Sequence, residues 1–196
     1  MSTLVTNRAP DFKAQTVMPN NAIEEKTLSE LRGGNYAIVF FYPLDFTFVC
    51  PSEIIAFDKK LKEFKKRNCE VIGISVDSHF THVAWKNTPM DNGGIGMVKY
   101  PLVSDLSKKI AEQYGVLFNG EVALRGLFLI DKEGTVRHAI VNDLPLGRNV
   151  DEALRMLDAL QFTEEHGEVC PANWREGEDG MVPTADGVAK YLAKHA

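Results

Sequence analysis

The sequence predicts an α/β fold, and three features predict it. Two apolar runs of strand length are separated by an amphipathic helix. A hairpin signal occupies the second half of the chain. A helix with one apolar face follows that hairpin.

The elements can be justified in chain order. Short alternating or mixed segments such as residues 11–17 come first. The capping-box pattern Thr27-Leu-Ser-Glu30 then starts a helix, because a hydroxyl and a carboxylate three residues apart can satisfy each other's backbone N–H groups. Gly33 and Gly34 stop it. Residues 36–42, Tyr-Ala-Ile-Val-Phe-Phe-Tyr, are continuously apolar, which suits a central strand covered on both faces. Pro43 ends that strand. From about Pro51 the apolar residues Ile54, Phe57, Leu61 and Phe64 recur at spacings of three and four, and so form one buried stripe. Lys59, Lys60, Lys62, Lys65 and Lys66 fall mainly on the opposite, solvated side. Residues 71–76 make a second buried strand.

Strand, helix and strand in that order imply a parallel βαβ unit with a right-handed crossover. A helix over residues 78–86, a glycine loop at 92–96, a short strand at 101–103 and a helix at 107–114 are expected next. The strand-like runs 126–130 and 135–141 flank Asp131-Lys-Glu-Gly134, a short turn with glycine. The covering helix starts near Val150 with Asn149 as N-cap, and shows Val150, Leu154, Leu157 and Leu160 on its inner face. This order is that of a thioredoxin-like fold. Beyond Gln161 the chain turns polar, so the domain is expected to span residues 1–163, with a C-terminal arm at 164–196 ending in a helix near 186–194.

Bulk properties narrow the function. The 196 residues are 44% hydrophobic and 25% charged, with a net charge of −5, a soluble-protein balance that can bury a core. An acidic chain lacks the basic footprint of nucleic-acid binding, and suits neither an anionic membrane surface nor, without a long apolar run, a spanning helix. The N-terminus has no signal-peptide layout, so a cytoplasmic location is expected. The three cysteines, Cys50, Cys69 and Cys170, do not read as a disulfide scaffold in a reducing compartment.

Cys50 stands between the first buried strand and its helix. Free backbone N–H groups and the positive end of the dipole at a helix start favour a thiolate, the form that attacks. Pro51 suits a first helical position. A capping cysteine acting only as a small hydrophobe is the bland alternative. The flanking segment Pro43-Leu-Asp-Phe-Thr-Phe-Val-Cys-Pro-Ser-Glu53 decides between them, because it resembles the active-site motif of the typical two-cysteine peroxiredoxins, the alkyl hydroperoxide reductase and thiol-specific antioxidant family. Pro43, Thr47 and Cys50 match its fixed offsets. Ala123-Leu-Arg-Gly126, Asp143-Leu-Pro-Leu-Gly-Arg148 and Gly167-Glu-Val-Cys-Pro171 look like further counterparts, which extends the resemblance over nearly the whole chain. Ser52 departs from the threonine often found there but keeps the hydroxyl.

The resemblance implies a thiol peroxidase that reduces hydrogen peroxide and organic hydroperoxides without metal, haem or flavin. Cys50 would be the peroxidatic nucleophile, passing through a sulfenic acid. Arg125 would stabilise the developing charge, Thr47 would orient the peroxide, and Pro43 would shield the site from water. Glu53 and Arg148 would form an ion pair supporting Arg125. Cys170 would resolve the sulfenic acid as an intersubunit disulfide, which a protein dithiol reductase, thioredoxin or a dedicated flavoprotein, then reduces. Antiparallel homodimers gathered as a decamer of five dimers are implied as well.

Other readings are weaker. Position 53 is glutamate, so a Cys-x-x-Cys disulfide oxidoreductase is disfavoured. A holdase chaperone role is compatible with the family. Cys69, just before a buried strand, reads as structural. His79 and His82 lie three apart on a helix near Asp77 but lack a third ligand spacing for a metal. The Gly93-Gly-Ile-Gly96 loop lacks the rest of a phosphate-binding motif. In the family a Gly-Gly-Leu-Gly loop and a C-terminal Tyr-Phe pair accompany easy over-oxidation; here Ile95 and Tyr191-Leu192 match only in part.

Overall fold

A computed structural model describes residues 3–195. The chain divides into two compact units, Met1–Val150 and Asp151–Ala196.

In the first unit the elements are β1 (Lys13–Val17), β2 (Ile23–Thr27), α1 (Leu28–Arg32), β3 (Tyr36–Phe41), α2 (Cys50–Lys66), β4 (Cys69–Ser75), α3 (His79–Asn87), β5 (Leu102–Ser104), α4 (Lys109–Gln113), β6 (Leu117–Phe118), β7 (Val122–Ala123), β8 (Arg125–Ile130) and β9 (Val136–Asn142). Seven strands form one sheet in the order β2-β1-β5-β4-β3-β8-β9. β3, β4 and β5 are parallel, as the βαβ order requires. β8 runs antiparallel to β3 and is continued by β9 through the expected hairpin. The β1–β2 hairpin widens the other edge, and β6 with β7 makes a separate two-stranded ribbon. Neither hairpin has the long alternating pattern that would reveal it in sequence.

Local chemistry sets the element ends. Thr27 and Glu30 close the capping box, and Gly33 at φ 58° ends α1 in the left-handed region. All six residues of β3 are buried. Its neighbour α2 buries Ile54, Phe57, Leu61 and Phe64, and Phe57 stacks on Phe40 of β3 at 4.4 Å between ring centres. Burying such a side chain contributes roughly 1.5–3 kcal/mol, so this stripe holds the start of α2 against the end of β3.

The second unit begins within α5 (Val150–His166), which runs past the end expected near Leu160. Phe162 accounts for the extension: its ring lies 4.5 Å from His166 one turn on and 4.8 Å from Trp174. Val169 and Met181 pair as an isolated bridge, and α6 (Ala185–His195) follows. No helix among the described residues is long and apolar enough to cross a membrane.

Candidate active site

The site is assembled where β3 hands over to α2. β3 delivers Pro43, which is buried at the strand's exit. The chain turns through Phe46, whose φ of 54° is left-handed, and enters α2 at Cys50 with Pro51 in the first turn. The sulfur of Cys50 has no exposed surface.

Two donors reach that sulfur. Thr47 Oγ1 lies 3.0 Å from Sγ and 2.8 Å from the Leu44 carbonyl oxygen. A hydroxyl has one proton, so it serves one acceptor at a time. With Cys50 as a thiol, the S–H can point at the Thr47 oxygen while the hydroxyl donates to Leu44. With a thiolate, the same hydroxyl turns to the sulfur. Arg125, at the start of β8, places Nη1 3.4 Å from Sγ.

Arg125 is held rigidly. Its Nε donates to the Leu144 carbonyl at 2.7 Å, and Nη1 also donates to Glu53 Oε2 at 2.6 Å. Glu53, one turn into α2, accepts from Arg148 three times: Nε to Oε1 at 2.7 Å, Nη2 to Oε2 at 3.0 Å, and the backbone N–H to Oε1 at 2.8 Å. Arg148 Nη1 donates to the Gly126 carbonyl, and its guanidinium lies 5.3 Å from the Phe40 ring centre. A side chain at Gly126 would bring its Cβ to 2.7 Å from Val116, so glycine there lets β8 keep this register.

Burial alone would push the Glu53 carboxyl up, but the hydrogen bonds and charge of Arg148, followed by the charge of Arg125, outweigh it and hold Glu53 below the ordinary carboxylate value. Burial pulls Arg148 down against the opposing pull of Glu53. Glu53, Arg125 and Arg148 are 3%, 3% and 8% exposed. One carboxylate against two guanidiniums leaves a buried excess of positive charge. That excess lies beside the Cys50 sulfur, with Arg125 Nη1 the guanidinium atom that reaches it.

Pro43, Thr47, Cys50, Glu53, Arg125 and Arg148 therefore all lie in or around one small region of the first unit. Cys170 belongs to the second unit. There it is half-buried, with Sγ 3.4 Å from the Ala159 carbonyl and 3.7 Å from Thr163 Oγ1. The Trp174 N–H close by donates to the Pro171 carbonyl, and Arg155 donates to the Trp174 carbonyl at 2.9 Å. All three cysteines are free thiols. Cys69 is fully buried, and burial pushes its thiol far above the ordinary value. His82 is bound to Asp45 and the Val103 carbonyl, while the His79 ring sits against Phe80. The carbonyls of Leu44, Leu144 and Gly126 are functional partners that no side-chain pattern reveals. The Asp45–His82 contact joins a residue inside the motif to one 37 positions away, so no local pattern signals it.

A buried helix-start sulfur faced by a hydroxyl and a guanidinium defines a thiol-based redox site. Comparison with known proteins gives the family. The AhpC/TSA family model matches residues 5–139, and the model described as the C-terminal domain of 1-Cys peroxiredoxin matches residues 159–194. The alkyl hydroperoxide reductase C of Helicobacter pylori is 59% identical over 98% of each chain. The reduced 2-Cys peroxiredoxin of Plasmodium vivax superposes with a TM-score of 0.96 at 52% identity, over 98% of this chain and 100% of that one. The thioredoxin peroxidase I of Plasmodium yoelii gives a TM-score of 0.79 at 58% identity, over 88% and 99%. The chain belongs to the AhpC/TSA family: it is a peroxiredoxin, a thiol-dependent peroxidase.

Proposed function

We propose that the peroxidase cycle runs from Cys50 to Cys170 of a second copy of the chain. The observation that carries the first step is the pair of donors on Sγ, Thr47 at 3.0 Å and Arg125 at 3.4 Å. The Cys50 thiolate attacks one oxygen of a hydroperoxide, and the O–O bond breaks. The other oxygen leaves with the electron pair and takes a proton, as water or an alcohol. Cys50 is left as a sulfenic acid. Arg125 and Thr47 meet the charge that moves onto the peroxide oxygens, and such preset donors contribute about 2.7–4 kcal/mol each in comparable sites. Glu53 and Arg148 keep Arg125 aimed, and Pro43 excludes water.

The sulfenic acid then condenses with the Cys170 thiol, releasing water and forming the disulfide. Two sulfurs must come within about 2.05 Å for this, and Cys50 Sγ has no exposed surface. The first turn of α2 therefore opens before resolution. A protein dithiol reduces the disulfide by two thiol–disulfide exchanges. The thioredoxin peroxidase name of the P. yoelii relative supports thioredoxin as that donor, with a dedicated flavoprotein reductase as the other candidate. The alkyl hydroperoxide reductase name of the H. pylori relative supports organic hydroperoxides beside hydrogen peroxide. The working assembly is a homodimer, gathered into a decamer, in the cytoplasm.

The test compares wild type, Cys50→Ser and Cys170→Ser. Cys50→Ser should consume no peroxide. Cys170→Ser should react once and then stall with a dithiol protein. Non-reducing gels should show a covalent dimer for oxidised wild type only. The same dimer from oxidised Cys170→Ser would remove Cys170 from the resolving role.

A further inference from the structure

One buried titratable pair takes no part in the chemistry above. Asp45 and His82 are 6% and 0% exposed. His82 Nε2 lies 3.2 Å from the Val103 carbonyl oxygen, and Nδ1 lies 2.7 Å from Asp45 Oδ2. A carbonyl can only accept, so Nε2 carries a hydrogen. One further proton must then lie between Nδ1 and Asp45. The pair is either imidazolium against carboxylate or neutral imidazole against carboxylic acid, and it is net neutral in both forms. Burial pushes the Asp45 carboxyl up against the pull of His82, with a net rise, which suits a shared proton.

Every neighbouring element contributes a partner. Tyr42, one residue past β3, donates its hydroxyl to Asp45 Oδ1 at 2.9 Å. Just past β4, Asp77 Oδ2 accepts the Asp45 backbone N–H at 2.8 Å and the Ser75 hydroxyl at 2.7 Å. Val103 belongs to β5 and His82 to α3. Asp45 is thus tied to the rigid sheet and helix, although it sits in the middle of the loop that joins Pro43 to Cys50.

That loop needs bracing. Phe46 is left-handed at φ 54°, a backbone conformation that strains any residue carrying a Cβ. Its half-exposed ring leans on Trp85 at 5.7 Å. The next residue is Thr47, whose hydroxyl meets the sulfur. We infer that the Asp45–His82 pair is a positioning device for the peroxidase reaction, fixing the loop so that the Thr47 hydroxyl stays on Cys50. It touches neither peroxide nor sulfur and acts through Thr47, and so it rests on the role proposed for Thr47 above.

The test is the rate of Cys50 oxidation by hydrogen peroxide in wild type, Asp45→Ala, His82→Leu, Asp45→Asn, Thr47→Val and the Asp45→Ala/Thr47→Val double variant. Misplacing a reacting group by an ångström can cost about a hundredfold, so Asp45→Ala and His82→Leu should slow oxidation about tenfold to a hundredfold. Asp45→Asn should recover most of that loss, because its amide donates to Nδ1 while its carbonyl accepts from Tyr42. The double variant should be no slower than Thr47→Val alone, since both act through one hydroxyl. Additive losses, or a folded Asp45→Ala at wild-type rate, would overturn the inference. Should Thr47→Val itself match wild type, the reading of Thr47 fails instead, whatever Asp45→Ala does. Proton–nitrogen NMR of the wild type keeps the question open to refutation if a variant does not fold. It should show an exchange-protected His82 Nε2–H coupled to a second proton shared with Asp45, and a freely exchanging ring would overturn the shared-proton brace.

Discussion

Glu53 accepts three hydrogen bonds from Arg148 at 2.7–3.0 Å and still has an oxygen for Arg125. The carboxylate is the hinge pin of the cluster, because two buried guanidiniums depend on its single charge. Glu53→Gln should cost about 3–5 kcal/mol of stability, the usual penalty for stranding a buried charge. Peroxide oxidation of Cys50 should slow with it. Denaturant unfolding and stopped-flow oxidation of the same variant check both effects; a Gln variant of wild-type stability would show that Arg148 and Arg125 find other counter-charges.

The same carboxyl predicts an acid limb. Its value in the folded protein is held below the ordinary 4.5, so the native state binds this proton more weakly than the unfolded chain. The stability it contributes is complete above 4.5 and disappears as pH falls through the lower folded value. The stability gap between wild type and Glu53→Gln should therefore narrow on acidification through that window. A gap that stays constant to low pH would contradict the coupling.

Thr47 should tolerate serine better than valine. Serine keeps the single proton that alternates between the Leu44 carbonyl and Cys50 Sγ. Valine keeps the shape and loses the donor. Removing one preset donor should slow oxidation by about a hundredfold to a thousandfold, with Thr47→Ser nearer to wild type. Second-order rate constants with hydrogen peroxide measure the difference, and equal rates for serine and valine would assign Thr47 to packing alone.

Cys69 should stay silent. It is fully buried in β4 and its thiol is pushed far up by that burial, so almost none is thiolate at neutral pH. Alkylation of native protein followed by mass spectrometry should leave Cys69 unmodified, and denaturation should expose it. Rapid native labelling of Cys69 would show that β4 opens.

Local features were legible in the sequence because their signals are local. The capping box at Thr27 and Glu30 emerged as read, and the stripe Ile54, Phe57, Leu61 and Phe64 is buried as its spacing required. The β6–β7 ribbon, with two residues a side, is too short for any periodicity. The last turn of α5 has no apolar signal because the chain turns polar beyond Gln161, while Phe162 gains its partners only through tertiary contact. The Cys50 motif is contiguous and so was recognisable. Arg125 and Arg148 are distant in sequence from Glu53 and were named only by resemblance. The backbone carbonyls that aim them, of Leu144 and Gly126, have no residue-type signature at all.

The chain has two tryptophans, and their positions give each of the two cysteine segments its own lamp. Trp85 anchors its indole on the Gly93 carbonyl at 2.8 Å and lies under Phe46 of the Cys50 loop. Trp174 sits three residues beyond Pro171 in the Cys170 segment, with its indole on the Glu178 carbonyl at 3.1 Å. Trp174→Phe leaves an emission that follows the Cys50 loop alone, and Trp85→Phe one that follows the Cys170 segment alone. Movement at either cysteine would thus give its own optical signal, with no dye attached to either thiol.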